Sequence, residues 1–430
     1  MQPCRVLIEL YAIPFGSLLP LALGLIILAS LSLLSLVGQK SSSSTLISTL
    51  FGQQFLALSR LTEKLGGMSK RRGHDDRSQG HGSKRARPAR KKHLYLVLDD
   101  WEKGYSIHQI DPDTMIPDTD NSDREPMRLP EPAAFRFVAP ASKTKFAAIG
   151  SNIVVVSSGG GTEAPTLVYD TAAGALAVAP PLPGHLAGAI VAVAGAGGGA
   201  LYAPTTLGAG LPAALEALMW APCTSDAEEP WLRRYEWSWK TVAAPSPPSL
   251  APGRAVLSHA THPDGRTVFV STYDAADGGR EDTCSFDAER GEWTRRGAWA
   301  LPFRGQGHFD RELGAWVGLD EELGYVCACQ IPSRRTDATV PPESDTTEER
   351  LFRGAAATLA YMGGSKFCLV ESVPCEDGDA DGREGRIVRV TMFGLKFDRR
   401  GKLRTTSHRT TSSYVASRYV PSFSPVAFWM

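Results

Sequence analysis

The residues predict an all-β fold assembled from repeated four-stranded units. From His93 onward, short runs of Val, Ile, Leu, Tyr and Phe alternate with Gly, Pro, Asp and Ser clusters, the pattern of many short strands separated by turns. No amphipathic stretch of helical length dominates; "LPAALEALMW" (211–220) is the one segment expected to form a short helix. Residues 93–430 are also too many for one sandwich of about 100 residues, so a closed ring of blades, a β-propeller, fits better.

The units follow in order. "KKHLYLVLDDWEKGYSIHQIDPD" (91–113) with "RLPEP" (128–132) supplies the first. The second, 146–184, runs from a short strand through a Gly-Ser-Asn turn to "NIVVVS". A glycine run, "LVYD", a Thr-Ala-Ala-Gly turn, another strand and a Leu182-Pro183 exit complete it. The third spans Leu186 to Pro248 and ends "YEWSWKTVAAPSPP". The fourth, 258–303, repeats the order of the second: a Pro-Asp-Gly turn, "TVFV", a loop, "CSFD", a turn, "EWTRRG" and a Leu301-Pro302 exit. "HFDRELGAWVGLDEELGYVCACQIP" (308–332) makes a fifth, and 355–403 a sixth. The spacing averages about 50 residues, the period of kelch-type arrays. Six blades are expected, with seven as the alternative. One unit cannot cover both of its own faces, so neighbours must stack and the ring must close. "SYVASRYVPSFSPVAFWM" (413–430) alternates like a strand and is expected to pair with Leu94–Leu98.

These units resemble kelch repeats. The resemblance rests on Gly159 and Gly160 after a strand, on Tyr169-Asp170 and Phe286-Asp287 at strand ends, on Trp293, and on the Leu-Pro exits. Two departures stand out: Ala177 where the second unit should carry a tryptophan, and Ser271-Thr272 where the fourth should carry paired glycines. "HLYLVLDDW", "SFDAERGEW", "WALPFRGQGHFD", "AWVGLD", "KFCLVE" and "AFWM" together resemble a grass-expanded plant family of kelch-like proteins of uncharacterised function. That resemblance transfers no catalytic residue. Kelch propellers more broadly imply protein-binding adaptors, an analogy at the level of fold.

Composition sets further bounds. The chain is 43% hydrophobic and 21% charged, with zero formal net charge, an ordinary globular balance. Ten basic residues lie between Lys70 and Lys92 against Asp75 and Asp76, so the remainder is net acidic by eight. A neutral-to-acidic body excludes nucleic-acid binding through the propeller. Seven scattered cysteines are not a disulfide framework and favour a reducing compartment.

Three regions are read: 1–40 as an apolar N-terminal segment, 41–92 as a disordered basic linker and 93–430 as the propeller. Residues 13–38 carry no charge and are long enough for a helix to span a bilayer, which needs about 20 apolar residues. Two readings stay open. If 13–38 is translated and inserts, the chain is a single-pass membrane protein with a cytoplasmic propeller. If synthesis starts at Met68, 1–67 is an upstream extension of the gene, and the protein is nuclear or cytoplasmic. Lys70, Arg71 and Arg72 followed by Lys84, Arg85 and Arg87 form a two-part basic arm of nuclear-localisation type.

Chemistry-bearing patterns are few. "DGDADG" (377–382) copies the first half of a calcium loop through Asp377, Asp379 and Asp381, but position 12 is Val388 where a bidentate Glu is needed. A solvated acidic loop is the better reading, and no cofactor is expected. His259 and His262 are spaced H-x-x-H without a helix to align them, and Cys327 and Cys329 are expected on one face of a strand as packing groups. No G-x-x-x-x-G-K-[ST] or G-x-S-x-G occurs. "WLRRYEWSWK" places Trp231, Arg233, Arg234 and Tyr235 together as a candidate protein-binding surface, because Trp, Tyr and Arg dominate interface hot spots. The alternation Tyr235, Trp237, Trp239 also fits one buried strand face. The expected function is a non-enzymatic scaffold or adaptor that binds another protein through loops of the rim. The alternative is a propeller enzyme or carbohydrate binder of the galactose-oxidase-like or sialidase-like kind.

Overall fold

The computed structural model describes residues 91–115, 125–139, 144–157, 164–186, 191–193, 199–206, 214–223, 235–243, 250, 254–275, 277–320, 324–333, 340–353, 357–374, 385–406 and 409–430. The apolar segment, the basic arm and Met68 lie outside these residues. Among them no helix is long and apolar enough to cross a membrane.

The regular secondary structure of the described residues is almost wholly β-strand, in antiparallel stacks. Stack 1 holds Leu94–Trp101, Gly104–Ile110 and Phe135–Val138, with the C-terminal Val426–Trp429 added at its inner edge. Stack 2 holds Thr144–Ile149, Asn152–Ser157, Thr166–Asp170 and Ala175–Ala179. Stack 3 holds Val191–Val193, Ala200–Thr206, Ala214–Pro222 and Tyr235–Ala243. Arg254–Thr261, Thr267–Asp274, Arg280–Asp287 and Glu292–Gly297 make stack 4; Arg304–Asp310, Ala315–Asp320, Tyr325–Cys329 and Ser344–Thr346 make stack 5. Stack 6 holds Ala357–Gly363, Lys366–Pro374, Gly385–Phe397 and Thr410–Ser417. Stacks 4 and 5 merge into one eight-stranded sheet because Ser258–Ala260 pairs in parallel with Gly305–Gly307.

Side chains on a strand alternate between faces, and here both faces are buried. Val97 and Ile107 of stack 1 pack on Ile153 and Val155 of stack 2, whose Val154 and Val156 turn the other way onto Leu201 and Leu218 of stack 3. Leu215 and Ala217 meet Val268 and Phe286 of stack 4; Phe269 meets Trp316 and Cys327 of stack 5. Val317 and Val326 meet Phe367 and Leu369 of stack 6, whose Val388 and Val390 return to Leu96 and Ile110 of stack 1. The succession is therefore closed, and the fold is β-propeller-like. Burial on both faces explains why "LYLVL" and "IVVV" read as continuous apolar runs.

The chain ends meet as expected. Leu94 pairs with Trp429, Tyr95 with Phe428, Leu96 with Ala427 and Val97 with Val426. His93 and Met430 exchange backbone hydrogen bonds of 2.7 and 3.1 Å.

The helix expected over 211–220 is not formed: Ala214–Pro222 is a strand. Its alanines and leucines favour a helix locally. Between Ala200–Thr206 and Tyr235–Ala243, however, a strand satisfies a backbone ladder on both edges, which a helix would leave unpaired. Its alternation then sends Leu215 and Ala217 toward stack 4 and Leu218 toward stack 2.

Candidate functional site

Most charged turns among the described residues are structural. Asp287 ends its strand, and its Oδ1 accepts the backbone N–H of Glu289 at 3.0 Å, an Asx turn. Gly291 then takes φ +68°, which a side chain would strain. Asp170, Asp310 and Asp398 close their own turns in the same way, accepting from the N–H of Ala172, Leu313 and Arg400 at 2.8 Å each. The ring of Trp293 lies 4.9 Å from Phe286 and packs against the core between stacks 3 and 4.

The first strands of stacks 4, 5 and 6 and the C-terminal strand adjoin one another around the ring. Besides the parallel pair, His308 Nε2 donates to the Leu359 carbonyl at 2.9 Å. Thr358 Oγ1 likewise donates to the carbonyl of Pro425, just before the C-terminal strand, at 2.7 Å. His259 is buried, and its Nδ1 has no hydrogen-bond partner among the described residues. Burial, then the neighbouring His308, pushes the His259 imidazole down to about 4; burial pushes His308 to about 4 as well. Both rings are neutral at neutral pH. His262 stays with its own turn, its Nδ1 accepting from the Asp264 N–H at 3.2 Å. The H-x-x-H pair therefore does not converge.

Asp310, Tyr361 and Ser365 do meet near the end of this surface. The Asp310 carboxylate takes hydrogen bonds from Ser365 N, Ser365 Oγ and Leu313 N, which hold it below its usual range despite burial. Burial, then Asp310, pushes the Tyr361 phenol up to about 12. A carboxylate so fully engaged holds two turns together and has little capacity left to act on a substrate. Cys327 and Cys329 are fully buried in the core between stacks 4 and 5, as expected for packing groups. Burial raises both thiols, Cys329 to about 12. Among the described residues, no group of three or more His, Cys, Asp or Glu is placed to hold a metal ion; Asp377, Asp379 and Asp381 lie outside them.

The aromatic segment divides into two parts. Trp239 Nε1 donates to Thr166 Oγ1 of stack 2 at 3.0 Å, and Trp237 packs against the same core. Ala177 packs against the same core as these two indoles of the third stack. Tyr235 is 46% exposed and Trp220 50% exposed. Trp220 stacks on Tyr235 at 6.4 Å and tilts against Trp237 at 5.4 Å. Strand pairing sets Trp220 opposite Trp237 and Pro222 opposite Tyr235. The result is an aromatic rail, half-buried at Trp239 and open to solvent at Trp220 and Tyr235. Trp231, Arg233 and Arg234 lie outside the described residues. Trp220 was missed in the sequence because it falls in the segment expected to be helical; the i, i+2 spacing of Leu218 and Trp220 was the available signal.

A closed ring of antiparallel stacks with no assembled catalytic constellation among the described residues defines a β-propeller-like protein. Residues 91–414 match the family described as "Protein of unknown function (DUF1668)", and the chain belongs to that family. No curated protein matches it. Among solved structures, it is similar to a putative 6-phosphogluconolactonase from Bacteroides uniformis (12% identity, 74% of this chain and 83% of that chain, TM-score 0.39). It is also similar to a putative 6-phosphogluconolactonase from Bacteroides fragilis (11% identity, 80% of this chain and 99% of that chain, TM-score 0.36). A third is the periplasmic gluconolactonase of Pseudomonas aeruginosa (14% identity, 74% of this chain and 82% of that chain, TM-score 0.35). Likenesses of this degree transfer neither activity nor substrate.

Proposed function

We propose that this chain is a six-bladed propeller of kelch type from the plant family it resembles, acting without catalysis as a scaffold that binds another protein. Each four-stranded stack is read as one blade. The observation that carries the functional reading is the open end of the aromatic rail: Trp220 and Tyr235, stacked and about half exposed. Large rigid aromatics held by a sheet bury much area at small entropic loss, which is why they anchor interfaces. Compartment depends on which start is used, membrane-anchored from Met1 or nuclear or cytoplasmic from Met68; N-terminal peptide mass spectrometry of the native protein separates the two.

The test is proximity labelling in native tissue with wild type and the W220A/Y235A double variant. A partner enriched with wild type and lost with the variant, at unchanged melting temperature, supports the reading. An identical labelled set from both sinks it.

A further inference from the structure

A cleft of about 510 Å³ lies between stacks 5 and 6, away from the aromatic rail. Its size falls within the range of small-molecule sites. The connection between the stacks, including Glu349, Arg350 and Arg353, forms one wall; Glu371, Arg389 and Arg409 form the other. Four arginines and two glutamates thus line the cleft.

The carboxylates differ. Glu349 is engaged on both oxygens, accepting from Arg409 Nη1 at 2.9 Å and Thr405 Oγ1 at 3.3 Å. Glu371 is only 4% exposed, two residues beyond Leu369 and so on the same face of its strand. Its ion-pair partner, Arg389 Nη1, stands at 3.8 Å, beyond hydrogen-bond reach. A buried carboxylate accepts and cannot donate, so it needs a donor close by. Arg353 is exposed and forms no ion pair among the described residues. The floor is apolar, from Leu351, Phe352 and Val373.

We propose that this cleft binds a small oxyanion, a phosphate monoester or a carboxylate, that carries a hydroxyl a few atoms away. Guanidinium groups match the planar, multi-acceptor edge of an oxyanion. The hydroxyl satisfies Glu371, whose charge disfavours a bare anion. Cleft and rail are separate surfaces, so either proposal can fail while the other stands.

The test is isothermal titration calorimetry of the full chain with glycerol 3-phosphate, glycerate, inorganic phosphate and glycerol. The expected result is saturable binding of glycerol 3-phosphate or glycerate with Kd below about 1 mM; which one binds identifies the anion. Inorganic phosphate and glycerol should bind at least about tenfold more weakly. R353Q and R389Q should each weaken the organic probe by about tenfold. R353Q alters an exposed side chain and keeps the test clear of misfolding. E371Q should shrink the preference over inorganic phosphate to under about threefold. No saturable binding by either organic probe overturns the proposal. So does inorganic phosphate binding as tightly as glycerol 3-phosphate, or binding unmoved in both arginine variants.

Discussion

The Arg386 guanidinium, 1% exposed, is ion-paired with the fully buried Asp99 carboxylate, joining stack 6 to stack 1 where the ring closes. Asp99 Oδ2 also accepts the N–H groups of Tyr419 and Val420 at 3.2 and 2.6 Å. One carboxylate thereby holds the first strand of stack 1, stack 6 and the segment leading to the C-terminal strand. Beside it, His108 bridges Asp100 at 2.7 Å and the Pro130 carbonyl at 3.1 Å.

Removing one partner of a buried pair strands the other. D99A leaves a buried guanidinium and the Val420 N–H without their acceptor, while the Tyr419 N–H keeps only the Asp99 carbonyl at 3.2 Å, and should destabilise by about 3–5 kcal/mol. R386M keeps both backbone bonds and should lose less. Urea denaturation monitored by tryptophan fluorescence checks the order; R386M at or above D99A in cost contradicts it.

Deleting Ser422 to Met430 removes the strand paired with Leu94–Val97. An open edge then replaces a closed ring. Calorimetry should show loss of the single cooperative transition, and hydrogen exchange should show faster exchange at the stack 1 amides that faced the deleted strand. Unchanged melting contradicts closure by this strand.

Phe303 lies across Gly307 and Gly318. A Cβ at Gly318 would stand 2.4 Å from the Phe303 ring, and one at Gly307 would stand 2.3 Å away. Phe303 is 2% exposed and has nowhere to move. G318A should cost about 1–3 kcal/mol by overpacking, and the G318A/F303L double variant should recover part of that. No recovery in a double-mutant cycle would place the clash elsewhere.

His259 and His308 have folded pKa values near 4 against an ordinary 6.5. Between these values the unfolded chain binds more protons than the folded one, so stability falls as pH drops from about 6.5 toward 4. Above pH 6.5 the two rings add no pH dependence. H259Q should flatten this slope by up to about one proton, measured as denaturation free energy against pH. An unchanged slope shows that other groups carry it.

How far the sequence is legible depends on how local each feature is. The turn at Asp287, the glycine at 291 and the packing of Trp293 are short-range and could be read directly. The terminal pairing was readable at the apolar end, where Val426–Trp429 pairs with the edge at Leu94–Val97; the earlier part of the same segment, within Thr410–Ser417, instead pairs with Gly385–Phe397 in stack 6. The departure at Ser271 looked like loss of a motif. Its hydroxyl instead bonds Thr283 Oγ1 at 2.8 Å and accepts the Leu301 N–H at 3.0 Å, fixing the Leu-Pro exit through a buried polar link. The strand at Ala214–Pro222 was hidden because its composition favours a helix and only neighbours on both sides reverse that preference.

The sequence by itself determined the all-β class, the order of the units and the pairing of the chain ends, because strand periodicity and turn chemistry act over a few residues. Tertiary structure alone decided what those units bring together. Asp99 meets Arg386 across most of the chain, Trp220 joins the rail through strand register, and Glu371 comes to line one cleft with Arg350 and Arg353 of the connection between stacks 5 and 6. Such meetings depend on which stacks become neighbours and how their edges align, and no local pattern encodes that geometry.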